Sequence, residues 1–213
     1  MLVSLDQSWM NALWLSPYRL RFELNAHGKY VNMFTSSYDR ARELARAALA
    51  TDRPLAIVAD FPGPSWMIQV DDGEETGTSA FAMLAEMGVS TDRAEAIWSG
   101  HFYPNEEEDD EIVPCEHRAV RVTWDEADIL LWNNIAQEIG VRPRAPVLSK
   151  LIDRERGIVV NAYDDRGMDT TALSPDPVEH LYRQYDAWLL DYDRPRMAEV
   201  FGPRAEGGYR LAP

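Results

Sequence analysis

The order of apolar and polar side chains predicts most of the elements of this chain. Ser8 to Leu15 is apolar, carries Trp9 and Trp14, and reads as a short helix ended by Pro17. In Arg19-Leu20-Arg21-Phe22-Glu23-Leu24, apolar residues alternate with charged ones. Alternation at period two means a strand with one wet face. Past the Asn25-Ala26-His27-Gly28 turn, Tyr30 to Phe34 is expected to pair back as the second strand of a hairpin. Ser36 or Ser37 then caps a helix whose residues Ala41, Leu44, Ala45, Ala48 and Leu49 recur at helical spacing. Leu55 to Val58 is a continuous apolar run, predicted as a buried strand and broken by Phe61-Pro62-Gly63-Pro64.

Asp71 to Ser79 is polar and reads as a loop, and Ala80 to Met87 as a short helix stopped by Gly88. Residues 90–103 fit helix and strand alike. A strand is expected over Glu116 to Thr123. Thr123 and Glu126 have the spacing of a capping box for a helix from Trp124 to Ile139, ended by Gly140 and Pro143. Leu131, Ile135 and Ile139 form its inner stripe. Val147 to Ile152, Gly157 to Tyr163 and Met168 to Leu173 then read as three strands. Asp153-Arg154-Glu155-Arg156-Gly157 and Asp164-Asp165-Arg166-Gly167 join them as turns. Pro177, behind Asp176, opens a helix. Leu181, Tyr185, Trp188 and Leu189 are expected to form its aromatic stripe, and a last short helix runs from Pro195 to Phe201.

Short turns between strands demand antiparallel pairing. The expected fold is therefore α+β: a mostly antiparallel sheet with helices packed on it, and a C-terminal β-meander followed by helices. Residues 1–201 are expected to form a single globular domain. Residues 202–213 are expected to be a loosely held tail.

Charge narrows the functional classes. The 213 residues carry 21 Lys and Arg against 36 Asp and Glu, a net charge of −15. Nucleic-acid phosphates would be repelled by such a surface. The single Cys115 excludes an intramolecular disulfide and fits a reducing compartment. One Cys and four His offer no zinc spacing. The start of the chain lacks a basic segment, and no apolar run approaches the roughly 18 residues of a membrane span. A cytoplasmic protein without membrane contact is the expectation.

The densest chemistry is Tyr163-Asp164-Asp165-Arg166-Gly167-Met168-Asp169. Its carboxylates could hold a hard cation through oxygen, or steady Arg166 against a phosphate or carboxylate. A hairpin turn accounts for the same residues without a ligand. Asp would accept local backbone hydrogen bonds, Gly167 would take a positive φ, and Arg166 would pair with a neighbouring acid. Turn chemistry is the preferred reading.

This motif, with Leu181-Tyr182 and then Trp188-Leu189-Leu190-Asp191-Tyr192-Asp193-Arg194, resembles a bacterial domain family of unknown function marked by the same Tyr-Asp-Asp-Arg-Gly sequence. The likeness is specific over 158–201 and weaker over 19–60. That family has no established activity, so the resemblance assigns no catalytic residue. It implies that the motif and the C-terminal helix form one structural unit.

Other candidates carry less. Asp186, Asp191, Asp193, Arg194 and Arg196 cluster near the C-terminal helix, where they could pair with Arg166 or with an Asp of the motif. Cys115 and His117 share a strand face and could act as nucleophile and base, although a buried, inert pair is the better reading. The sequence lacks a G-x-S-x-G elbow, a phosphate loop, a dinucleotide fingerprint and H-E-x-x-H. No catalytic residue, metal site or cofactor is assigned. Most of the seven Trp are expected in the core.

What remains is binding. Glu106, Glu107, Glu108, Asp109, Asp110 and Glu111 are six consecutive carboxylates, expected as a solvated loop. They suit contact with Lys and Arg of a basic protein, and the acidic field would speed its approach. An immunity or antitoxin protein that neutralises a cognate bacterial toxin has this profile. The alternatives are a metal-dependent enzyme or small-ligand domain using the Asp164–Asp169 turn, and a subunit that self-associates through exposed aromatics.

Overall fold

The computed structural model describes residues 15–25, 29–60, 79–102 and 113–202. Seven strands form one antiparallel sheet: β1 (Arg19–Glu23), β2 (Leu55–Asp60), β3 (Ala96–Phe102), β4 (Val113–Arg121), β5 (Val147–Asp153), β6 (Ile158–Ala162) and β7 (Gly167–Ala172). Their order across the sheet is β1-β7-β6-β5-β2-β4-β3. Five helices accompany it among the described residues: α1 (Tyr30–Ala48), α2 (Ala80–Glu86), α3 (Trp124–Ile139), α4 (Asp176–Gln184) and α5 (Arg194–Phe201). The class is α+β, with the C-terminal meander β5-β6-β7 followed by helices.

The sheet has two different faces. Leu20, Phe22, Val58, Val120, Leu151, Val160 and Met168 point to the helical side, where they join Leu44, Leu130, Ile135 and Leu181 in the main core. Helices α1 and α3 pack against each other and over β5 and β6, and α4 covers β7. On the other face Leu55, Ile57, Ala119, Ile152 and Val159 form a smaller buried cluster, with Trp98 against it.

Local signals fix several boundaries. The Thr123 hydroxyl accepts from the Glu126 N–H while the Glu126 carboxylate accepts from the Thr123 N–H, so α3 starts on a complete capping box. Gly140 ends it in the left-handed region at φ +71°, which glycine adopts without a Cβ penalty. Asn134 ties α3 to the sheet. Its amide donates to the carbonyls of Ser149 (2.8 Å) and Ala162 (2.9 Å), and its oxygen accepts the Ser149 N–H at 3.0 Å.

Three expectations need correction. Tyr30 to Phe34 is no hairpin strand but the first part of α1, and β1 pairs instead with β7, Phe22 opposite Met168. Phe34, Ala41, Leu44 and Ala48 make one helical stripe, and burying it outweighs the weak strand pattern of 30–34. Ser36 and Ser37 accordingly lie inside α1 and cap nothing. The helix at 176 ends at Gln184, so Trp188 and Leu189 reach the core through a 3₁₀ turn (Asp186–Trp188). Leu189 then bridges to Phe22 on the sheet edge. The ambiguous residues 90–103 contain β3.

The predicted helix at Ser8–Leu15 (apart from Leu15), the loop at 71–78, the carboxylate run Glu106–Glu111 and the tail from 203 onward lie outside the described residues. No helix among the described residues is long and apolar enough to cross a membrane.

Candidate functional site

The Asp-Asp-Arg-Gly motif joins β6 to β7 as a turn. Asp164 Oδ1 accepts the backbone N–H of Arg166 at 2.7 Å and of Gly167 at 3.0 Å. Its Oδ2 takes the Arg166 Nε–H at 2.7 Å, together with a second guanidinium N–H. The Asp164 carboxylate is thus committed within the turn, as the turn reading requires. Asp164 and Asp165 are buried, whereas the Arg166 side chain is 69% exposed. The turn's outer carbonyls are used as well. Asp165 O accepts the Ser37 hydroxyl at 2.6 Å, and Arg166 O accepts the Leu24 N–H at 2.9 Å.

Gly167 departs from expectation. Its φ is not positive, so the turn does not need glycine for backbone freedom. It needs glycine for space, since a Cβ there would overlap the Tyr163 ring. Tyr163 in turn lies against the neighbouring charged cluster.

Asp169 anchors that cluster from β7. It is buried, with Arg19 Nε at 3.4 Å and Arg21 Nε at 3.1 Å. Arg21 also reaches Asp193 at 2.9 Å and the Tyr163 hydroxyl at 3.4 Å. Burial raises the Asp169 carboxyl above its ordinary pKa, against the two arginines that favour its charge. Burial also pushes the Tyr163 phenol up. The C-terminal charges therefore meet the motif at Asp169, with Arg21 bridging Asp169 and Asp193. Arg194 holds Asp186 at 2.8 Å and Asp191 at 2.5 Å, which fixes the segment that carries Asp193.

Register extends this cluster across the sheet face opposite the helices. Arg21 and Asn161 both lie opposite Asp169, and the Leu151–Val160 pairing sets Lys150 beside Asn161. Arg21, Asp169, Asn161 and Lys150 thus form one row on four adjacent strands. Burial lowers the Lys150 pKa, with Asp169 opposing. Among the described residues no hydrogen bond or ion pair holds its ammonium. Such a lysine can bind an anion or, once neutral, attack a carbonyl. Sequence reading placed Arg19, Arg21 and Glu23 on a wet strand face. It did not find Lys150, Asn161 or Asp193 as their neighbours, because alternation gives the face and not the register.

The Cys115–His117 pair is present, with Sγ 3.7 Å from Nδ1. His117 stacks on Trp98 at 5.2 Å between ring centres. Burial pushes the Cys115 thiol up and the His117 imidazole down. Both groups are then neutral near pH 7, which is the inert state rather than an activated thiolate. Among the described residues, no three His, Cys, Asp or Glu are grouped to hold a metal ion. A cleft of about 410 Å³, bordered by Arg19, Asp193, Arg196 and Glu199, lies beside the Asp169 cluster.

No curated protein sequence and no solved structure matches the chain. One family model does match, over residues 9–193, a span that takes in the acidic middle as well as the motif. The chain, with its motif turn joining β6 to β7 of an antiparallel sheet, belongs to the family described as domain of unknown function DUF3885.

Proposed function

We propose that this chain is a non-enzymatic binding domain for a basic protein, acting in the cytoplasm. Its most concrete form is an immunity protein that neutralises a cognate toxin. The observation that carries this reading is where the charge is spent. Among the described residues, at least eleven arginines, from Arg19 to Arg196, sit within ion-pair distance of a carboxylate of this same chain. The cations are largely neutralised internally, while a surplus of 15 negative charges is left over. That surplus, including Glu106–Glu111, is available to Lys and Arg of a partner.

The test is co-expression with the product of the gene directly upstream. Co-elution in moderate salt, together with rescue of growth, is the expected result. Reversal of Glu106, Glu107 and Glu108 to Lys should slow association. Absence of both complex and toxicity removes the immunity form.

A second reading rests on Lys150. Its desolvated ammonium on the sheet face opposite the helices suits an anionic small molecule. A thermal-shift screen of phosphate- and carboxylate-bearing compounds tests it, with Lys150→Met as the control that should lose any stabilisation.

A further inference from the structure

Lys150 and Asn161 are cross-strand neighbours whose polar groups the fold leaves unused. Among the described residues, neither the Lys150 ammonium nor the Asn161 amide has a hydrogen-bond or ion-pair partner. Both residues keep part of their surface exposed. Directly opposed residues of an antiparallel pair stand about 5 Å apart at Cβ, so one small group can meet both side chains.

The two sides of this pair differ. Toward β7 lie Asp169 and Arg21, bound to each other at 3.1 Å. Toward β2, Lys150 lies opposite Ile57, which belongs with Ile152 and Val159 to the smaller apolar cluster. His117 follows on β4, opposite Ala59, and the nearby Lys150 charge helps keep its imidazole neutral. Asp169 is already shared by Arg19 and Arg21, so it compensates the Lys150 ammonium only weakly. Burial beside Ile57 then favours the free amine.

The choice of residue points the same way. Of the 21 basic residues only two are lysine, Lys29 and Lys150. Arginine supplies the cation against Asp164, Asp169, Asp186 and Asp193. A guanidinium stays charged, whereas an amine can lose its proton and become a nucleophile. Lys29 is exposed just ahead of α1, which leaves Lys150 as the one lysine of the sheet.

We propose that Lys150 is a covalent attachment site for a small carbonyl compound, an aldehyde or a 2-oxo acid, with Asn161 binding the carbonyl oxygen. This deepens the Lys150 reading, on which it rests, from anion binding to bond formation. The free amine attacks the carbonyl carbon, a C–N bond forms, and the carbonyl oxygen becomes a hydroxyl. That oxygen then leaves as water with the two amine protons, and the C=N bond of an imine remains. The Asn161 amide can donate to the oxygen throughout.

The probe is glyoxylate, an aldehyde that carries a carboxylate, given to the full chain with cyanoborohydride at about pH 7. Cyanoborohydride delivers hydride to the imine carbon and fixes a secondary amine, which peptide mass spectrometry locates. Expected is an adduct on Lys150 exceeding that on exposed Lys29 by at least about tenfold. Raising the pH toward about 10.4, where Lys29 also loses its proton, should shrink the excess. Asn161→Ala should slow the Lys150 reaction about tenfold and leave Lys29 unchanged. Lys150→Arg keeps the charge and should take no adduct. A lysine only hindered by its surroundings would react less than Lys29 at every pH, and that result, measured on the unaltered chain, overturns the proposal. Glycolate, which has a hydroxyl in place of the aldehyde, separates the two readings. If glycolate raises the melting temperature while Lys150 takes no adduct, anion binding stands and the covalent site falls. An adduct without any effect of glycolate supports the covalent site and removes simple anion binding.

Discussion

The Ser37 hydroxyl donates to the main-chain carbonyl of Asp165 at 2.6 Å, joining the middle of α1 to the motif turn 128 residues later. Ser37 is fully buried, so water cannot replace this donor cheaply. Ser37→Ala should destabilise the protein by about 1–3 kcal/mol, the cost of a buried acceptor left unpaired. Urea denaturation measures it, and an unchanged midpoint would remove the tie between helix and turn from the account.

Gly167 is required by its neighbour. Gly167→Ala should cost about 1–3 kcal/mol through collision with the Tyr163 ring. In a Tyr163→Ala background the same change should cost little, because the obstructing ring is gone. A double-mutant cycle reads the difference. Additive losses would mean that the strain lies in the backbone instead.

Stability should fall on mild acidification because of His117. Burial, reinforced by Lys150 and opposed by Asp60, sets the folded imidazole below its ordinary value of 6.5. As pH drops through that value the unfolded chain takes up the proton first, so stability is full above it and declines toward the folded pKa. Denaturation midpoints between about pH 8 and about pH 5 should show this slope. His117→Gln should flatten it. A slope unaltered by the substitution would assign the effect to other groups.

Asn134 is the polar pin of the core. Its side chain bonds to the Ser149 and Ala162 carbonyls and to the Ser149 N–H and hydroxyl, all on β5 and β6, and the residue is 1% exposed. Asn134→Leu keeps the volume but strands two carbonyls and an N–H. A loss of about 3 kcal/mol or more is expected, read from thermal or urea unfolding. Retained stability would show that the sheet relaxes to other donors.

Elements whose identity depends on near neighbours in sequence were legible. The capping box at Thr123 and Glu126, the Gly140 stop and the two turns of the meander are decided within a few residues. So is the internal pairing of Asp164 with Arg166. The role of Gly167 was not legible. Turn statistics favour a positive φ there, whereas the actual constraint is the path of the Tyr163 ring.

By itself the sequence determined the α+β class, the antiparallel meander, the extent of α3 and the acidic excess, because alternation, capping and charge are local properties. Tertiary structure alone decided that Tyr30–Phe34 is helix, since burying one continuous stripe of α1 outweighs local strand preference. It alone brought Arg21, Asp169, Asn161 and Lys150 into one row and placed β1 and β3 at the two ends of the strand order. Strand order and register are set by contacts between residues far apart in the chain, and a one-residue slip would turn each of these side chains to the opposite face.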